Sequence, residues 1–447
     1  MAQGKNMAQG GTKALVPSGF KINRIEIQRH DGNEKANRDI APLITDFEIV
    51  ESLYSSTIIA RFSVKDAANL IEEFPIIGQE KLLVELEREE HETGVTKELS
   101  LNMVITEYPL FNRPEDIPNL SVYKFVAVSE HSYNSGFLKL SRAFNKNFRD
   151  EIKKIFIEDL KFDESKIEEG TKITTSANGI IPSIPPLNAI EYFRARSCDS
   201  DGAPLFVYQT IDGKLHLKTL TDFIESDTYG IYRDSKHFKQ EAFTLADYKE
   251  RQSKLVDITS RLGFARGFQA QRGAFASKLE TVDLSTKTFT NNIYSYNIEE
   301  KTLAKNKPYS TKFEVDETQL EKLYDSHIDH VSVNSKAYGD NVFNANKIRV
   351  DHEQKQRAYL EGMETMSHDI EIYGDFSFNP GKKIELEIPK AVDPVAQSKV
   401  TNSDKSETLD KLLSGQYIVT AVQHKFRNDE YYITAKVKRD SFEVGFA

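Results

Sequence analysis

Residues 77–87 read IGQEKLLVELE and residues 380–388 read PGKKIELEI, and the strands written after these two stretches decide the fold. Each stretch passes from a glycine (Gly78, Gly381) through charged residues into a strand with alternating apolar side chains. After the first comes 102–111 (NMVITEYPLF), a strand ending in Phe111 before a turn, and then the long alternating strand 121–130 (SVYKFVAVSE). After the second comes 416–426 (QYIVTAVQHKF), ending in Phe426 before a turn, and then 430–438 (EYYITAKVK). The same succession is thus written twice, which predicts two copies of one β-barrel in a single chain. Similar β-meanders also arise without duplication, so pattern alone leaves both readings open.

Working outward, strand-like runs recur at 20–28, 43–52, 57–64, 81–88, 98–107 and 120–130. In one of them Ile58, Ala60, Phe62 and Val64 alternate with Thr57, Ile59, Arg61 and Ser63, giving one apolar face. Clusters such as 112–119 (NRPEDIPN) separate several of these runs, as in a sandwich or barrel. One helical interruption is expected after Asp66, with Leu70, Ile71 and Phe74 on one face and Pro75 as the stop. From about Gly136 the period lengthens. Phe148, Ile152, Ile155, Phe156 and Leu160 stand at helical spacing in 148–161, and a second helix is predicted over 187–196 behind Pro185 and Pro186. The segment 205–220 (LFVYQTIDGKLHLKTL) reads as a hairpin turning at Asp212-Gly213. Residues 240–367 are mixed, with strand-like runs at 276–290 and 293–299 and a helix near 351–366. Strands return at 369–378, 382–389, 416–426 and 430–438.

The expected class is α+β, mainly β: two similar antiparallel β-barrel domains with an inserted mixed α/β domain. The boundaries read as 1–19 for a flexible N-terminal arm and 20–133 for the first barrel. The mixed helical and strand domain takes 134–204 plus 246–367. The second barrel takes 205–245 plus 368–447, with a loop insertion at 391–411. The arm repeats Met-Ala-Gln-Gly at 1–4 and 7–10, which a doubled start or an expression scar explains equally well.

Composition narrows function. At 39% apolar and 29% charged residues the chain is a soluble globular protein. Its formal net charge of −10 argues against a duplex-DNA binder, which needs clustered positive charge facing the phosphates. The single cysteine, Cys198, excludes an intramolecular disulfide and a Cys-ligated zinc site. No signal peptide is expected from the polar start, and no run approaches the ~18 apolar residues of a membrane span.

Motifs that could carry chemistry are few. His327-x-x-His330, beside Asp325 and Asp329, has metal-ligand spacing on a helix but lacks a third ligand nearby, so a polar surface stretch is the preferred reading. His352-Glu353 opens like a zincin helix, but Gln356 stands where the second histidine belongs. Asp199-x-Asp201-Gly202 resembles the start of a calcium loop, yet runs directly into Ala-Pro-Leu-Phe, which makes it a turn. Cys198 has no neighbouring base and reads as a packing residue. Residues 263–273 interleave Phe264 and Phe268 with Arg266 and Arg272, as single-strand binders do, but an interface loop suits the acidic chain better. Glu72-Glu73 and Glu89-Glu90 read as solvated faces, although carboxylates paired in space for glycoside cleavage are invisible to sequence. No Gly-x-Ser-x-Gly, Walker loop or Gly-x-Gly-x-x-Gly is present. No catalytic, cofactor-binding or metal residues are assigned, and no cofactor is expected.

Three stretches together carry a likeness to a known family. Thr45–Val64 (TDFEIVESLYSSTIIARFSV) looks like a strand pair around a Glu-Ser-Leu-Tyr corner. Gly179–Gln209 combines a Pro-rich approach, an Ala-Ile-x-Tyr-Phe helix and a Pro-Leu-Phe-Val-Tyr strand. Ile370–Pro389 carries Gly374, Phe376, Phe378 and the Asn379-Pro380-Gly381 turn before a strand. In order and spacing the chain resembles the central baseplate hub protein of T-even-like contractile-tailed phages, over roughly residues 40–440. The arm and the 391–411 insertion depart from that pattern, so no residue-level contact is carried over.

The resemblance implies a non-enzymatic virion protein, made in the host cytoplasm and placed in the tail baseplate. It implies a homotrimer whose two barrels per chain make a ring of near-sixfold symmetry. Its partners would be a trimeric spike or needle, which can bear a lysozyme, on one side and hexameric tail-tube or tube-initiator proteins on the other, with other baseplate proteins around it. Three chains with two similar barrels give six similar surfaces, a geometric answer to joining a threefold spike to a sixfold tube. Strand edges offer backbone groups that a neighbour can satisfy, and an acidic wall suits a channel through which DNA must slide without sticking. Because no needle repeat comes after the last strand before Phe446-Ala447, the needle and any hydrolase are expected as separate chains. The rival readings are a cell-wall or polysaccharide hydrolase of the tail, and the hub of a related contractile injection system.

Overall fold

The structure is a computed structural model and describes residues 18–29, 37–67, 70, 74, 76–90, 95–114, 120–145, 147–234, 253–261, 266–295, 323–334, 336, 345–390, 409–427 and 429–441. The arm up to residue 17, the polar segment near 244–256 apart from its last residues, and nearly all of the 391–411 insertion lie outside them. So does most of the expected helix after Asp66. Of that helix, Asp66 Oδ2 accepts from Leu70 N at 2.7 Å, and Phe74 N donates to Leu70 O at 2.7 Å.

The chain opens with β1 (Lys21–Gln28), the short β2 (Arg38–Asp39), β3 (Ile44–Ser52), β4 (Ser55–Asp66), β5 (Lys81–Glu90), β6 (Val95–Asn112) and β7 (Ser121–Ser129). A helical unit comes next, with β8 (Ala143–Phe144), β9 (Ile167–Glu169), β10 (Gly179–Ile180), β11 (Leu205–Gln209) and β12 (Leu215–Thr219). Its helices Phe148–Lys154, continued by a wider turn over Ile155–Asp159, and Pro186–Arg194 bury Phe148, Ile152, Ile155, Phe156, Ala189, Ile190 and Phe193 in one core. The Asn147 side chain caps the first of these, accepting from Arg149 N at 3.0 Å. Then come β13 (Thr228–Asp234), β14 (Lys254–Arg261), β15 (Ala276–Asp283), β16 (Thr288–Ser295) and β17 (Ile328–Val333), the helix Ala345–Gly362, and β18 (Met366–Tyr373), β19 (Lys383–Glu387), β20 (Gly415–Arg427) and β21 (Glu430–Arg439).

The protein is mainly β, and its large sheet runs β19-β13-β14-β18-β21-β20-β3-β4-β7-β6-β5-β1-β2. Because β19 also pairs with β20, the strands β13, β14, β18, β21, β20 and β19 form a closed barrel. The first strand set has the same neighbour order, β3-β4-β7-β6-β5-β1 against β14-β18-β21-β20-β19-β13, and the same order along the chain. Four of the five successive pairings agree in being antiparallel. The fifth differs: β1 is antiparallel to β5, whereas β13 is parallel to β19.

The two sets also differ in closure. Strands β13 and β14 pair in parallel at Arg233–Lys254 and Asp234–Leu255. Among the described residues no ladder joins β1 to β3; the 3-10 turn Ala41–Leu43 spans that gap, with Ile40 N donating to Ile25 O at 2.7 Å. A second barrel that is antiparallel throughout, the sequence expectation, is therefore corrected. Strand β13 arrives from the helix Leu220–Glu225 and not through a tight hairpin from a ring neighbour, so nothing imposes antiparallel sense on it.

The hairpin at 205–219 is a second correction. Its alternation assigns it to the opening of the second barrel, but β11 pairs antiparallel with β12, and β12 pairs in parallel with β9, a separate three-stranded sheet. Every residue of β11 is buried. A short continuous apolar run of this kind is a strand covered on both faces, which a barrel wall with one solvent side does not supply. Strand β14, expected in the mixed domain, instead supplies a barrel stave.

Candidate assembly site

Strands β3 and β20 pair antiparallel over Asp46–Ser52 and Ala421–Arg427, which joins the two strand sets into one sheet. Period-two alternation turns Phe47, Ile49 and Glu51 inward on β3, and Val422, His424 and Phe426 inward on β20. In-register pairing then stacks five rings across five strands. Tyr431 lies 4.3 Å from Phe426, Phe426 4.3 Å from Phe47, Phe47 5.4 Å from Phe62, and Phe62 5.1 Å from Phe125, all within 16° of parallel. Each such pair adds about 0.5–1.5 kcal/mol beyond burial. A single apolar core, from Ile25 and Leu82 to Ile384 and Val437, passes under the seam.

Beside the ring ladder sits a buried polar chain. Glu51 Oε1 lies 3.1 Å from His424 Nε2, and His424 Nδ1 lies 2.6 Å from the Tyr431 hydroxyl, with both members of the Glu51–His424 pair wholly buried. Ile211 N, in the turn of the β11–β12 hairpin, donates to Glu51 Oε2 at 2.6 Å. The Asn379 amide, turned so that its nitrogen meets acceptors, donates to Glu51 Oε1 at 3.3 Å. Burial pushes the Glu51 carboxyl up from its ordinary range, opposed by its hydrogen bond to His424. Burial likewise raises the Tyr431 phenol. Sequence reading missed this site. The signal was there, a glutamate and a histidine at inward positions of otherwise apolar faces (Phe47-x-Ile49-x-Glu51 and Val422-x-His424-x-Phe426).

Two glycines shape the same region. A Cβ on Gly374 would lie 2.0 Å from the Tyr431 ring, so only glycine lets β18 leave the sheet there. Gly381 turns the chain into β19 at φ +83 and donates from its N to Val419 O at 2.8 Å.

An uncovered apolar surface lies on the insertion between β14 and β18. Strand β15 pairs antiparallel with β16 and parallel with β17, which sets Val282 opposite Phe289, and Ile293 and Ile328 on either side of Lys278. Phe289 and Ile293 are 59% and 58% exposed, while the opposite face of the sheet meets the helix Ala345–Gly362 through Gln354, whose Nε2 donates to Ser277 O at 2.9 Å. Exposed apolar side chains gathered on one sheet face are the usual mark of a protein contact.

The residues singled out by sequence scatter over separate elements. His327 precedes β17 and His330 lies within it, and the three-residue offset sends them to opposite faces of an extended chain. His327 Nδ1 meets Gln271 O at 2.9 Å, and His330 Nδ1 meets Glu280 Oε2 at 3.0 Å. Among the described residues no three His, Cys, Asp or Glu side chains gather as a metal site would need. Glu353 pairs with Arg357 on the helix, and Arg357 reaches Asp329. Asp199 Oδ1 accepts from Asp201 N at 2.9 Å and Ala203 N at 3.0 Å, the geometry of a turn. Cys198 is buried, and burial pushes its thiol up, away from nucleophilic use. Phe268 is exposed on the short helix Arg266–Gln271 and Arg272 faces Glu361, while Phe264, Glu72 and Glu73 lie outside the described residues. Glu89 and Glu90 end β5. Among the described residues no helix is long and apolar enough to cross a membrane.

No protein-family model matches the sequence, and no curated protein matches it either. Solved structures do. The tail protein from Neisseria meningitidis MC58 superposes with a TM-score of 0.53 at 10% identity, covering 94% of this chain and 97% of that one. This chain has the fold of that tail protein. That fold extends over nearly the whole sequence. The 43 kDa tail protein of prophage MuSo2 from Shewanella oneidensis has a TM-score of 0.49 at 10% identity, covering 95% of this chain and all (100%) of that one. An E. coli component of the type VI secretion system, itself described as similar to T4 bacteriophage tail proteins, has a TM-score of 0.43 at 9% identity over 96% of this chain and 78% of its own.

Proposed function

We propose that this chain is the structural hub of a contractile phage tail baseplate, a homotrimer with pseudo-sixfold symmetry and no enzymatic activity. It joins a trimeric spike or needle to the hexameric tail tube and forms part of the DNA channel. The observation that carries this reading is the repeated succession: six strands in one chain order and one neighbour order, and then six more in the same orders. Two similar strand sets per chain in a three-chain ring present six related surfaces, which is what a threefold-to-sixfold adapter needs. The tail-protein fold shared with the Neisseria protein supports the same setting. Exposed Phe289, Ile293, Val282 and Ile328 supply apolar contact area for neighbours in such an assembly.

Native mass spectrometry and electron micrographs of the purified chain, alone and with a candidate spike protein, test the proposal. A particle of three chains with six lobes down its axis is the expected result. A stable monomer that cleaves peptidoglycan would replace the hub with the hydrolase reading.

A further inference from the structure

One carboxylate is the meeting point of three units of this molecule. Glu51 belongs to the first strand set, its imidazole partner His424 to the closed barrel, and its closest donor, Ile211 N at 2.6 Å, to the hairpin of the helical unit. Asn379, in the turn that leads into β19, adds a fourth tie. Around this cluster the titratable or charged groups are Tyr431 on β21, against the imidazole; Tyr208 on β11 and Asp212 in the hairpin turn, both in the field of Glu51; and Arg88 on β5 and Asp375, both in the field of Tyr431.

We propose that Glu51 and His424 form a proton-dependent latch on the seam between the two strand sets: with one proton shared the seam is closed, and loss of that proton loosens β3, β20 and the 211 turn together. The chain of donors is directional. A Tyr431 O–H donated to His424 Nδ1 leaves the imidazole proton on Nε2, facing Glu51. With one more proton the relay reverses: Glu51 Oε1–H donates to Nε2, Nδ1–H donates to the Tyr431 oxygen, and the pair is electrically neutral. Removing it leaves a net negative charge in a wholly buried position, which the interior tolerates poorly. The raised position of Glu51 sets the direction. Its contribution to stability is complete below the ordinary carboxylate range and is lost as pH rises through the raised value. The strands on either side do not depend on this pair, since their ladders and the shared apolar core remain. The latch stands on the seam geometry and holds whether or not the hub reading does.

Hydrogen exchange on the full chain tests it, from about pH 6 to about pH 9, with rates corrected for the intrinsic pH dependence of amides. Amides of 46–52, 209–213 and 421–427 are expected to accelerate together, by at least about fivefold relative to 82–88 of β5. Glu51→Gln keeps an acceptor for Ile211 N but has no proton to lose, and should abolish the relative acceleration. If that variant does not fold, Tyr431→Phe keeps the ring and removes the hydroxyl on Nδ1, and should move the midpoint. The latch is overturned if the three segments track β5 in the native chain, if they accelerate with separate midpoints, if folded Glu51→Gln still shows the effect, or if Tyr431→Phe leaves the midpoint in place.

Discussion

Among the described residues the strand sets β1–β7 and β13–β21 share an order but not a closure. In the first, the 3-10 turn at Ala41–Leu43 stands where the second has the parallel β13–β14 ladder. The second set closes because its first strand enters from a separate helical unit and can run in either sense; the first set's opening strand is antiparallel to β5 and hands the chain on through β2 and that turn. Neighbour order is set by which apolar faces must meet. Closure is set by how the chain arrives. The two sets are nonetheless one body, since β3 and β20 pair and the aromatic ladder crosses between them without a break.

The comparison breaks most severely at the seam. Phe47→Ala removes the ring between Phe426 and Phe62 and should cost about 3–5 kcal/mol. Urea unfolding read by separate probes in each set should still show one transition, and two would mean that the core is divided. Next is Gly374→Ala, which forces a methyl into the Tyr431 ring in the second set only. A loss of about 3 kcal/mol is expected, and an unchanged unfolding midpoint would show that β18 can shift away.

Acid should also probe the closed barrel, which holds His368 inside. Burial, then the nearby Arg439, lowers its pKa to about 4 from 6.5, a difference equivalent to at most about 3 kcal/mol. The unfolded chain binds the proton more tightly, so stability should fall as pH drops from the ordinary histidine value towards 4. Urea titrations across that range should show the slope, and His368→Gln should make it shallower, leaving the part that His216 and His131 contribute. The smallest effect is expected at the barrel's joint. Arg233 pairs with Glu387 across β13 and β19, but the arginine side chain is 40% exposed, so Arg233→Ala should cost at most about 1 kcal/mol. A larger loss in thermal unfolding would mean that the ion pair, and not the backbone ladder, keeps the barrel closed.

Much of this was legible in the residues. The runs at 43–52, 57–64, 81–88, 416–426 and 430–438 fall on strands β3, β4, β5, β20 and β21 because an inward face written every second residue fixes both strand and register. The helices around Phe148 and Ile190 were equally plain, having a cap or prolines at the start and an apolar stripe. The hairpin at 205–219 misled, since its alternation says strand but not which sheet, and its partner β9 is a three-residue strand almost forty residues upstream of it. His327 and His330 looked like ligands only while the segment could be a helix; as a strand it parts them.

Sequence alone determined the elements, their faces and the doubled succession, because these depend on side-chain period and local turns. It could not decide that β13 runs parallel to its neighbours, that β3 and β20 weld the two sets, or that Glu51 meets His424. Those depend on contacts between residues distant in the chain, 154 positions apart for Arg233 and Glu387 and 373 for Glu51 and His424, where loop closure and the burial of a polar pair outweigh anything that neighbouring residues can encode.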